Sequence, residues 1–376
     1  MISKYDSLPS PAYVCEIALL EKNLKLLKKV QDEAGVKILL ALKGFALWST
    51  FDLCKKYLKG CCASGLNEAI LAHEKFGGEV HTYSPAFKEN EFDEILRISH
   101  HVVFNSFNQW EKYKSKTIDK TSPGLRVNPE YSSVEVDIYN PCGAFSRLGI
   151  TRKEFKPELL DGIEGLHFHA LCEQNVDALE GVLASFEEKF GEFLPKMKWV
   201  NFGGGHHITR IDYDVEGLIN LLKNFKSKYP HLEVYLEPGE AVGWQTGPLV
   251  ATVLDVIQNG MKIAILDTSA EAHMPDTLAM PYRANVRNAG LAGEKKFTYR
   301  LGGNTCLAGD TIGDYSFDEE LKIGQKIVFE DMIHYTIVKN TTFNGINLPS
   351  IVLEHKDGSF EVIKNFNHMD YIQRLS

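Results

Sequence analysis

Short apolar runs and amphipathic segments alternate along most of the chain. The apolar runs predict strands at 36–42, 61–64, 79–84, 102–106, 124–129, 165–171, 198–203 and 233–237. Segments with helical spacing follow most of them, at 48–58, 66–76, 88–98, 108–115, 151–160, 176–190 and 214–228. Repeated strand–helix units are typical of parallel strands joined by crossover helices. About eight such units predict a closed (β/α)8 barrel, and an open doubly wound sheet is the competing architecture.

The positions of the polar residues favour the barrel. In a barrel enzyme the functional groups collect at the carboxyl ends of the strands. Polar or glycine residues stand at or just after the ends of the predicted strands: Lys43, Ser64, Asn105, Asn128, His169, Gly203, Gly204, Gly205 and Glu237.

The pattern changes after Gly239. Strand-like runs at 249–254, 262–266 and 326–329 are separated by Gly and Asn, and long helical patterns are few. This texture predicts a mainly β domain at 245–376, after a barrel at 14–244. We expect residues 1–13, which hold two prolines, to add an N-terminal strand to the β domain.

Composition excludes several classes of partner. The 376 residues are 44% hydrophobic and 24% charged, with a net charge of −9, which argues against nucleic acid or an anionic membrane as the main partner. No apolar stretch reaches the ~18 residues of a membrane span, and the first residues carry no apolar signal segment. Seven scattered cysteines suit reduced thiols, so we expect a cytoplasmic protein.

Lys43 closes the first barrel strand. An ammonium at the end of a buried strand is costly unless it is paired or used in chemistry. Taken alone, Lys43 is most simply a lysine whose side chain reaches water. The other strand ends change that interpretation, because together they supply the remaining groups of a pyridoxal phosphate (PLP) site.

Two of these groups follow the last two barrel strands. Gly203, Gly204 and Gly205 precede a helical segment, so they form either a phosphate cradle or a flexible turn. Glu237 is either a loop cap or a carboxylate that keeps a pyridine nitrogen protonated.

Two histidines share one face of the sixth barrel strand. His167 and His169 could bind zinc, but no cysteine or carboxylate stands near them at a familiar ligand spacing, so we expect no metal. His169 at the strand end could stack on a flat aromatic cofactor. His167 is more simply a hydrogen-bonded core residue.

A Gly-rich polar loop at 302–310 lies in the β domain and carries Cys306 and Asp310. It is either an ordinary hairpin loop or a source of a catalytic thiol and an amine-binding acid. Tyr335 is a candidate phosphate ligand through its hydroxyl, although alone it would be taken for a core aromatic.

In this order, the motifs resemble the fold-type III PLP decarboxylases, the family of ornithine, arginine and diaminopimelate decarboxylases. The resemblance covers nearly the whole chain and implies an alanine racemase/ornithine decarboxylase-like fold. The matching segments are Ala41-Leu42-Lys43, Cys62-Ala63-Ser64, Ser146-Arg147-Leu148-Gly149-Ile150, His167-Phe168-His169, Gly203-Gly204-Gly205, Glu237-Pro238-Gly239, Gly303-Asn304-Thr305-Cys306 with Asp310, and Tyr335.

The resemblance implies PLP as the cofactor and assigns the site. Lys43 would hold PLP covalently, His169 would stack on its ring and Glu237 would pair with its pyridinium. Cys306 would enter the active site of a partner subunit, which implies a homodimer with shared active sites. The implied cofactor contacts are Lys43, His169, Gly203, Gly204, Gly205, Glu237, Gly239 and Tyr335.

Departures from the family pattern narrow the range of expected substrates. Glu240 stands where the family usually has a phosphate-binding arginine, Leu307 replaces an acid, and Cys172 replaces a common serine. This combination resembles the branch that decarboxylates carboxynorspermidine and carboxyspermidine to norspermidine and spermidine. The implied substrate contacts are Glu240, Asp276, Asp310 and Cys306, with Cys306 also reprotonating Cα.

Three alternatives stay open at this point. A diaminopimelate or other basic amino-acid decarboxylase would need a site for a different distal group, and Glu240 argues against a distal carboxylate. An amino-acid racemase of this fold usually sets an arginine, not a glutamate, against the pyridine nitrogen. A non-catalytic PLP-binding regulatory homologue tends to lose the lysine or the cysteine, and both are present.

Overall fold

A computed structural model describes residues 4–376 of the chain. The chain divides into two compact units. The barrel unit runs from Glu21 to Val242, and the sheet unit combines the residues up to Leu20 with Gly243–Ser376.

Sixteen strands form within residues 4–376. They are β1 Ala12–Glu16, β2 Lys37–Ala41, β3 Gly60–Ala63, β4 Glu79–Tyr83, β5 His101–Phe104, β6 Ser122–Arg126, β7 Gly165–His167, β8 Trp199–Asn201, β9 Glu233–Leu236, β10 Leu249–Asn259, β11 Met261–Leu266, β12 Phe297–Gly302, β13 Thr311–Phe317, β14 Lys326–Phe329, β15 Ser350–Glu354 and β16 Phe360–Lys364.

Twelve α-helices form within the same residues. They are α1 Ile17–Ala34, α2 Phe51–Cys54, α3 Leu66–Leu71, α4 Glu89–Ile98, α5 Phe107–Thr117, α6 Val176–Phe190, α7 Val215–Lys228, α8 Glu240–Gly243, α9 Ala270–His273, α10 Asp276–Ala279, α11 Thr336–Lys339 and α12 His368–Leu375. Across the described part of the chain, none of these helices combines the length and the apolar character that crossing a membrane requires.

The predicted barrel is confirmed. Strands β2 to β9 pair in chain order, all parallel, and β2 closes the ring on β9 through Lys37↔Tyr235 and Ile38↔Leu236. Most of their residues are buried, because a barrel strand is covered by helices outside and by the side chains of other strands inside. The interior is filled by Leu39, Val103, Trp199 and Tyr235.

One predicted helix of the barrel is absent from the described residues. The segment 151–160 forms only a short 3₁₀ turn at Pro157–Leu159. Pro157 lacks an amide hydrogen and restricts the residue before it, so a continuous helix cannot pass through this position.

The sheet unit is built around a mixed sheet with the strand order β13-β12-β11-β10-β1-β15-β16, and β14 also pairs with β10. Strand β1 is antiparallel to β10 and parallel to β15. We expected the N-terminal strand within residues 1–13; the structure places it at Ala12–Glu16, and residues 1–3 of that expectation lie outside the described residues.

Candidate active site

The carboxyl ends of the barrel strands bring three predicted site residues to one cavity. Lys43 follows β2, His169 follows β7 and Glu237 follows β9. The cavity has a volume of about 250 Å³. Its lining includes Ala41, Lys43, Cys62, Ser64, His81, Tyr83, Arg126, Arg147, His167, His169 and Glu237.

Lys43 is poised as an amine nucleophile. Its side chain is exposed because it extends into the cavity, yet the protein around it displaces enough water to lower the pKa of its ammonium. Arg126 lowers that pKa further, whereas Cys62 and Glu237 act against the shift. A lower pKa leaves more of the amine neutral, which is the form that attacks a carbonyl carbon.

Glu237 is a buried carboxylate that stays ionised. Asn201 Nδ2 donates to its Oε1 at 2.7 Å, and His167 Nε2 lies 3.4 Å from Oε2. Burial alone would raise its pKa, but His167 and Asn201 outweigh that effect and lower it to about 2. The group is therefore negative at neutral pH and suited to bind a protonated ring nitrogen.

His169 presents a neutral imidazole in a fixed orientation. The backbone N–H of Gly204 donates to its Nδ1 at 2.8 Å, so the ring proton of the neutral form is on Nε2. Burial, together with the positive charges of Lys43 and Arg126, holds the pKa of His169 well below its usual range.

The glycine triplet requires glycine at each position. Gly203 and Gly205 have φ of +68° and +87°, a region that other residues rarely adopt. A Cβ on Gly205 would lie 2.1 Å from the carbonyl oxygen of Leu171, and one on Gly204 would lie 2.5 Å from that of Glu237. The amide of Gly203 donates to Asn201 and that of Gly204 to His169, so Gly205 is the member of the triplet best placed for a phosphate.

Two residues of this site were missed by the sequence analysis. Arg126, which ends β6, is buried, lies over the Tyr83 ring at 4.7 Å and donates to the carbonyl of His169 at 3.2 Å. Asn201, which ends β8, orients both Glu237 and Gly203. The sequence feature that could have identified both residues is a polar side chain at the carboxyl end of an otherwise apolar strand.

A second cavity, of about 560 Å³, adjoins Lys43 and His169. The irregular segment between β6 and β7 supplies much of its lining, through residues 137–141 and 143–148. Asp137, Ile138 and Phe145 are exposed there. This space extends the barrel mouth and gives room for a substrate larger than an ordinary amino acid.

Glu240 begins α8 and is largely buried. Its Oε1 lies 3.8 Å from Nε2 of His207. Nη1 of Arg210 lies 3.3 Å from Nδ1 of His207, and because arginine can only donate, the proton of a neutral His207 is on the nitrogen nearer Glu240. His207 therefore turns an N–H toward Glu240 without a hydrogen bond to it, a proximity that the sequence did not reveal.

The Cys306 loop belongs to the sheet unit. Cys306 is an exposed, free thiol whose amide donates to Asn344 at 2.7 Å. Asp310 is buried, and its carboxylate accepts from the amide of Ala270 at 2.7 Å and from the hydroxyl of Thr305 at 2.6 Å. Asp310 thus fixes the loop that presents Cys306.

Asp276 and Tyr335 also lie in the sheet unit. Asp276 Oδ1 accepts from Lys339 Nζ at 2.6 Å and is partly buried. Tyr335 has φ of +42°, a strained backbone for a residue with a side chain. Strain of this kind concentrates at functional positions.

The groups at the barrel mouth fit PLP. A lysine with a lowered pKa suits an aldehyde, an ionised buried carboxylate suits a pyridine N–H, and a neutral imidazole presents a flat face. The glycine triplet tolerates no Cβ, and backbone of this kind allows a phosphate to approach closely.

Comparison with known proteins gives the same assignment. The family described as "Pyridoxal-dependent decarboxylase, C-terminal sheet domain" matches residues 12–333. A carboxynorspermidine/carboxyspermidine decarboxylase of Campylobacter jejuni is 56% identical, over 98% of this chain and 99% of the relative. A carboxyaminopropylagmatine decarboxylase of Synechocystis sp. is 45% identical, over 99% of this chain and 97% of the relative.

A solved structure supports the fold throughout. Carboxynorspermidine decarboxylase from Campylobacter jejuni, complexed with norspermidine, has a TM-score of 0.92 and 56% identity to this chain. The match covers 98% of this chain and 100% of that one. The chain therefore belongs to the pyridoxal-dependent decarboxylase family, with PLP as its cofactor.

Proposed function

We propose that this enzyme decarboxylates carboxynorspermidine and carboxyspermidine, giving norspermidine and spermidine in polyamine biosynthesis. The observation that carries the proposal is the 56% identity, across almost the full length of both chains, to a relative of that name. The roomy mouth beside Lys43 and the acidic Glu240 support a long, cationic substrate.

We assign Lys43 to the aldehyde group of PLP and Glu237 to its pyridine nitrogen. When bound, PLP supplies an electron sink for the carbanion left by loss of CO₂. Lys43 would hold the cofactor through its amine and yield that position to the substrate amine. Glu237 would accept a hydrogen bond from the pyridine nitrogen and keep it protonated, because its own pKa is about 2.

His169, Gly205 and Tyr335 would orient the cofactor. The imidazole of His169, held by the Gly204 amide, would cover one face of the ring. We assign the phosphate to the glycine triplet, Gly239 and Tyr335. Glu240 stands close to this backbone, but a carboxylate would repel a phosphate, so we assign it to the substrate instead.

Cys306 is the group that we propose returns a proton to Cα. After CO₂ leaves, the thiol would give its proton to the carbon and be reprotonated by solvent. We propose that the Cys306 loop comes from the second subunit of a homodimer. Its exposure and its attachment to Asn344 and Asp310 support a thiol presented outward on a fixed loop.

Distal ammonium groups of the substrate need acidic partners. We assign Glu240 and Asp276 to this task; Asp276 would exchange its present partner, Lys339, for the substrate. Asp310 was also expected here. Its oxygens already accept hydrogen bonds from Ala270 and Thr305, so we propose that it acts by holding the Cys306 loop.

Carboxyaminopropylagmatine is a second candidate substrate. The 45% identical relative of Synechocystis carries that name and also matches nearly the whole chain. This compound ends in a guanidinium, which acidic residues would also bind. Diaminopimelate ends in a carboxylate, which Glu240 would repel.

We infer a cytoplasmic location for the enzyme. All seven cysteines are free thiols, including the exposed Cys306. Free thiols of this number persist in a reducing compartment. Fractionation of the source cells, with the protein detected by immunoblot, would test the location.

The test is CO₂ release by the PLP-loaded enzyme with carboxynorspermidine, carboxyspermidine, carboxyaminopropylagmatine, meso-diaminopimelate and ornithine. We expect kcat/KM to be highest for the two carboxylated triamines. A preference for carboxyaminopropylagmatine would support the second candidate. Turnover of diaminopimelate or ornithine at a comparable kcat/KM would contradict the role given to Glu240.

A further inference from the structure

A second cluster of ligand-type side chains lies at the amino ends of the barrel strands. Glu79 is the first residue of β4, His101 is the first of β5, and His81 follows Glu79 on the same face of β4. Since the strands are parallel, Glu79 and His101 lie at the end of the barrel opposite to Lys43. His81, in the middle of β4, also lines the cavity beside Lys43. One ligand atom from each of the three residues lies within 4.8 Å of the other two.

The spacing suits a tetrahedral metal ion. Nε2 of His81 lies 3.2 Å from Oε2 of Glu79, and the imidazole rings of His81 and His101 have centroids 3.8 Å apart. In a zinc site with bonds of about 2.1 Å, neighbouring ligand atoms are roughly 3.4 Å apart. The two imidazole rings are nearly stacked, so they would have to turn apart to direct one nitrogen each at a common ion.

Two nitrogens of the cluster lack a partner. Nδ1 of His81 and Nδ1 of His101 are buried, and neither forms a hydrogen bond within the described residues. His81 is 2% exposed, so its side chain is almost entirely enclosed by protein. Burying an unpaired polar atom is unfavourable. A cation would use the lone pair of one nitrogen of each ring, and for His81 that nitrogen is Nε2, which faces Glu79.

The charged groups around Glu79 leave one of its two carboxylate oxygens available to a metal ion. Lys37 Nζ donates to Oε1 of Glu79 at 2.8 Å, which leaves Oε2 for a metal. The hydroxyl of Tyr235 lies 3.1 Å from Oε2 of Glu79 and 2.8 Å from Oε2 of Glu233. If a metal binds Oε2 of Glu79, the Tyr235 hydroxyl still has Glu233 as its acceptor. The second carboxylate, Glu233, also offsets the charge of Lys37.

An ion can reach this cluster from solvent. A cavity of about 610 Å³ opens at this end of the barrel. Its lining includes Glu79 and His101 of the cluster, together with Lys37, His73, Glu233 and Tyr235.

We propose that Glu79, His81 and His101 form a zinc site, with water as the fourth ligand, that ties the amino ends of β4 and β5 together. Two imidazoles and one carboxylate are a ligand set that zinc accepts. The amino-terminal face of a barrel serves stability rather than catalysis, so the site is structural. From the sequence we expected no metal, an expectation argued only from His167 and His169. Glu79, His81 and His101 come from two strands and share no local spacing that would have marked them.

Zinc content of the PLP-loaded enzyme tests the proposal. The protein is stripped with a chelator, reloaded with zinc chloride and passed through gel filtration, and zinc is then measured by mass spectrometry. We expect about one zinc per chain for the wild type. His81→Asn and His101→Asn should lose it, and zinc should raise the melting temperature of the wild type but not of these variants.

His73→Asn is the matched control, since the exposed His73 lines the same cavity outside the cluster. It should retain zinc. If His81→Asn does not fold, His101→Asn decides, because His101 is less buried. A wild type without zinc, or a His101→Asn variant that keeps it, would overturn the site.

Discussion

At the scale of single residues, the charge state of Glu237 depends on residues that are distant in sequence. Asn201 and His167, on two other strands, hold its pKa at about 2 despite its burial. A carboxylate in that state can keep a bound pyridine nitrogen protonated, which a neutral amide of the same shape cannot do.

We therefore predict that Glu237→Gln binds PLP but lowers kcat by roughly 100-fold or more. The reason is loss of the negative charge that stabilises the ring proton. The measurements are kcat for CO₂ release and PLP content by absorbance.

Glu233→Gln is the control for this variant, because Glu233 begins the same strand at its exposed end. It should keep kcat within about twofold. Near-normal turnover by Glu237→Gln would show that the ring proton does not depend on this residue.

At the scale of elements, the loop after β8 is fixed by close backbone contacts. Gly205 has φ of +87° and lies against the carbonyl of Leu171, where a Cβ would be 2.1 Å from the oxygen. Gly77 has φ of +73° but no atom within 4 Å of a Cβ position. Alanine substitutions at the two glycines therefore separate the cost of a left-handed backbone from the cost of a steric clash.

We predict that Gly205→Ala lowers the free energy of unfolding by more than about 2 kcal/mol and weakens PLP binding, because the loop must move away from Leu171. Gly77→Ala should cost only about 1 kcal/mol, the strain of the left-handed backbone alone, and leave PLP affinity unchanged. Urea denaturation and PLP titration measure both. Equal effects of the two substitutions would mean that the contact with Leu171 does not matter.

At the scale of the whole molecule, the proposed homodimer makes each active site depend on two chains. Lys43 would come from one subunit and Cys306 from the other. A heterodimer of Lys43→Ala and Cys306→Ala would then hold one site with both substitutions and one intact site.

We predict that this heterodimer, co-expressed with two affinity tags and purified through both, has about half of the wild-type activity per dimer. Each homodimeric variant should be nearly inactive. Activity of the heterodimer no higher than that of the homodimers would place Lys43 and Cys306 in the same subunit's site. Substantial activity of Cys306→Ala alone would remove the cysteine from the proposed proton transfer.

Stability at acidic pH is a second property of the whole molecule. Burial lowers the pKa of His273 to about 4, against 6.5 when the chain is unfolded. Below pH 6.5 His273 becomes protonated in the unfolded chain, whereas in the folded protein it stays neutral until about pH 4. His273 thus contributes stability above pH 6.5 that is lost as the pH falls, by about 3 kcal/mol across this window.

We predict that His273→Asn reduces the pH dependence of the free energy of unfolding between pH 6.5 and 4 by about one proton. Urea denaturation at several pH values measures it. The exposed His73 gives the control His73→Asn, which should leave that dependence unchanged. An unchanged slope for His273→Asn would mean that His273 is protonated in the folded state.

Local sequence determined much of this protein. The alternation of apolar runs and amphipathic segments located all eight barrel strands, because burial on both faces leaves an uninterrupted apolar signature. The strand ends were less accurate: the strand predicted at 165–171 spans only Gly165–His167. Lys43, His169 and Glu237 could be placed together in advance, since the carboxyl ends of parallel strands converge. Pro157 was also a local signal that no continuous helix passes through 151–160, although the helical spacing of that segment predicted one.

Tertiary structure alone decided the rest. Closure of the ring pairs β2 with β9, and only that closure separates a barrel from an open sheet. The partners of Glu237, the saturation of Asp310 by Ala270 and Thr305, and the meeting of Glu79 with His101 all join residues far apart in the chain. Hydropathy records whether a position is buried, but a hydrogen bond or a ligand distance depends on which strands become neighbours, and the local pattern does not contain that information.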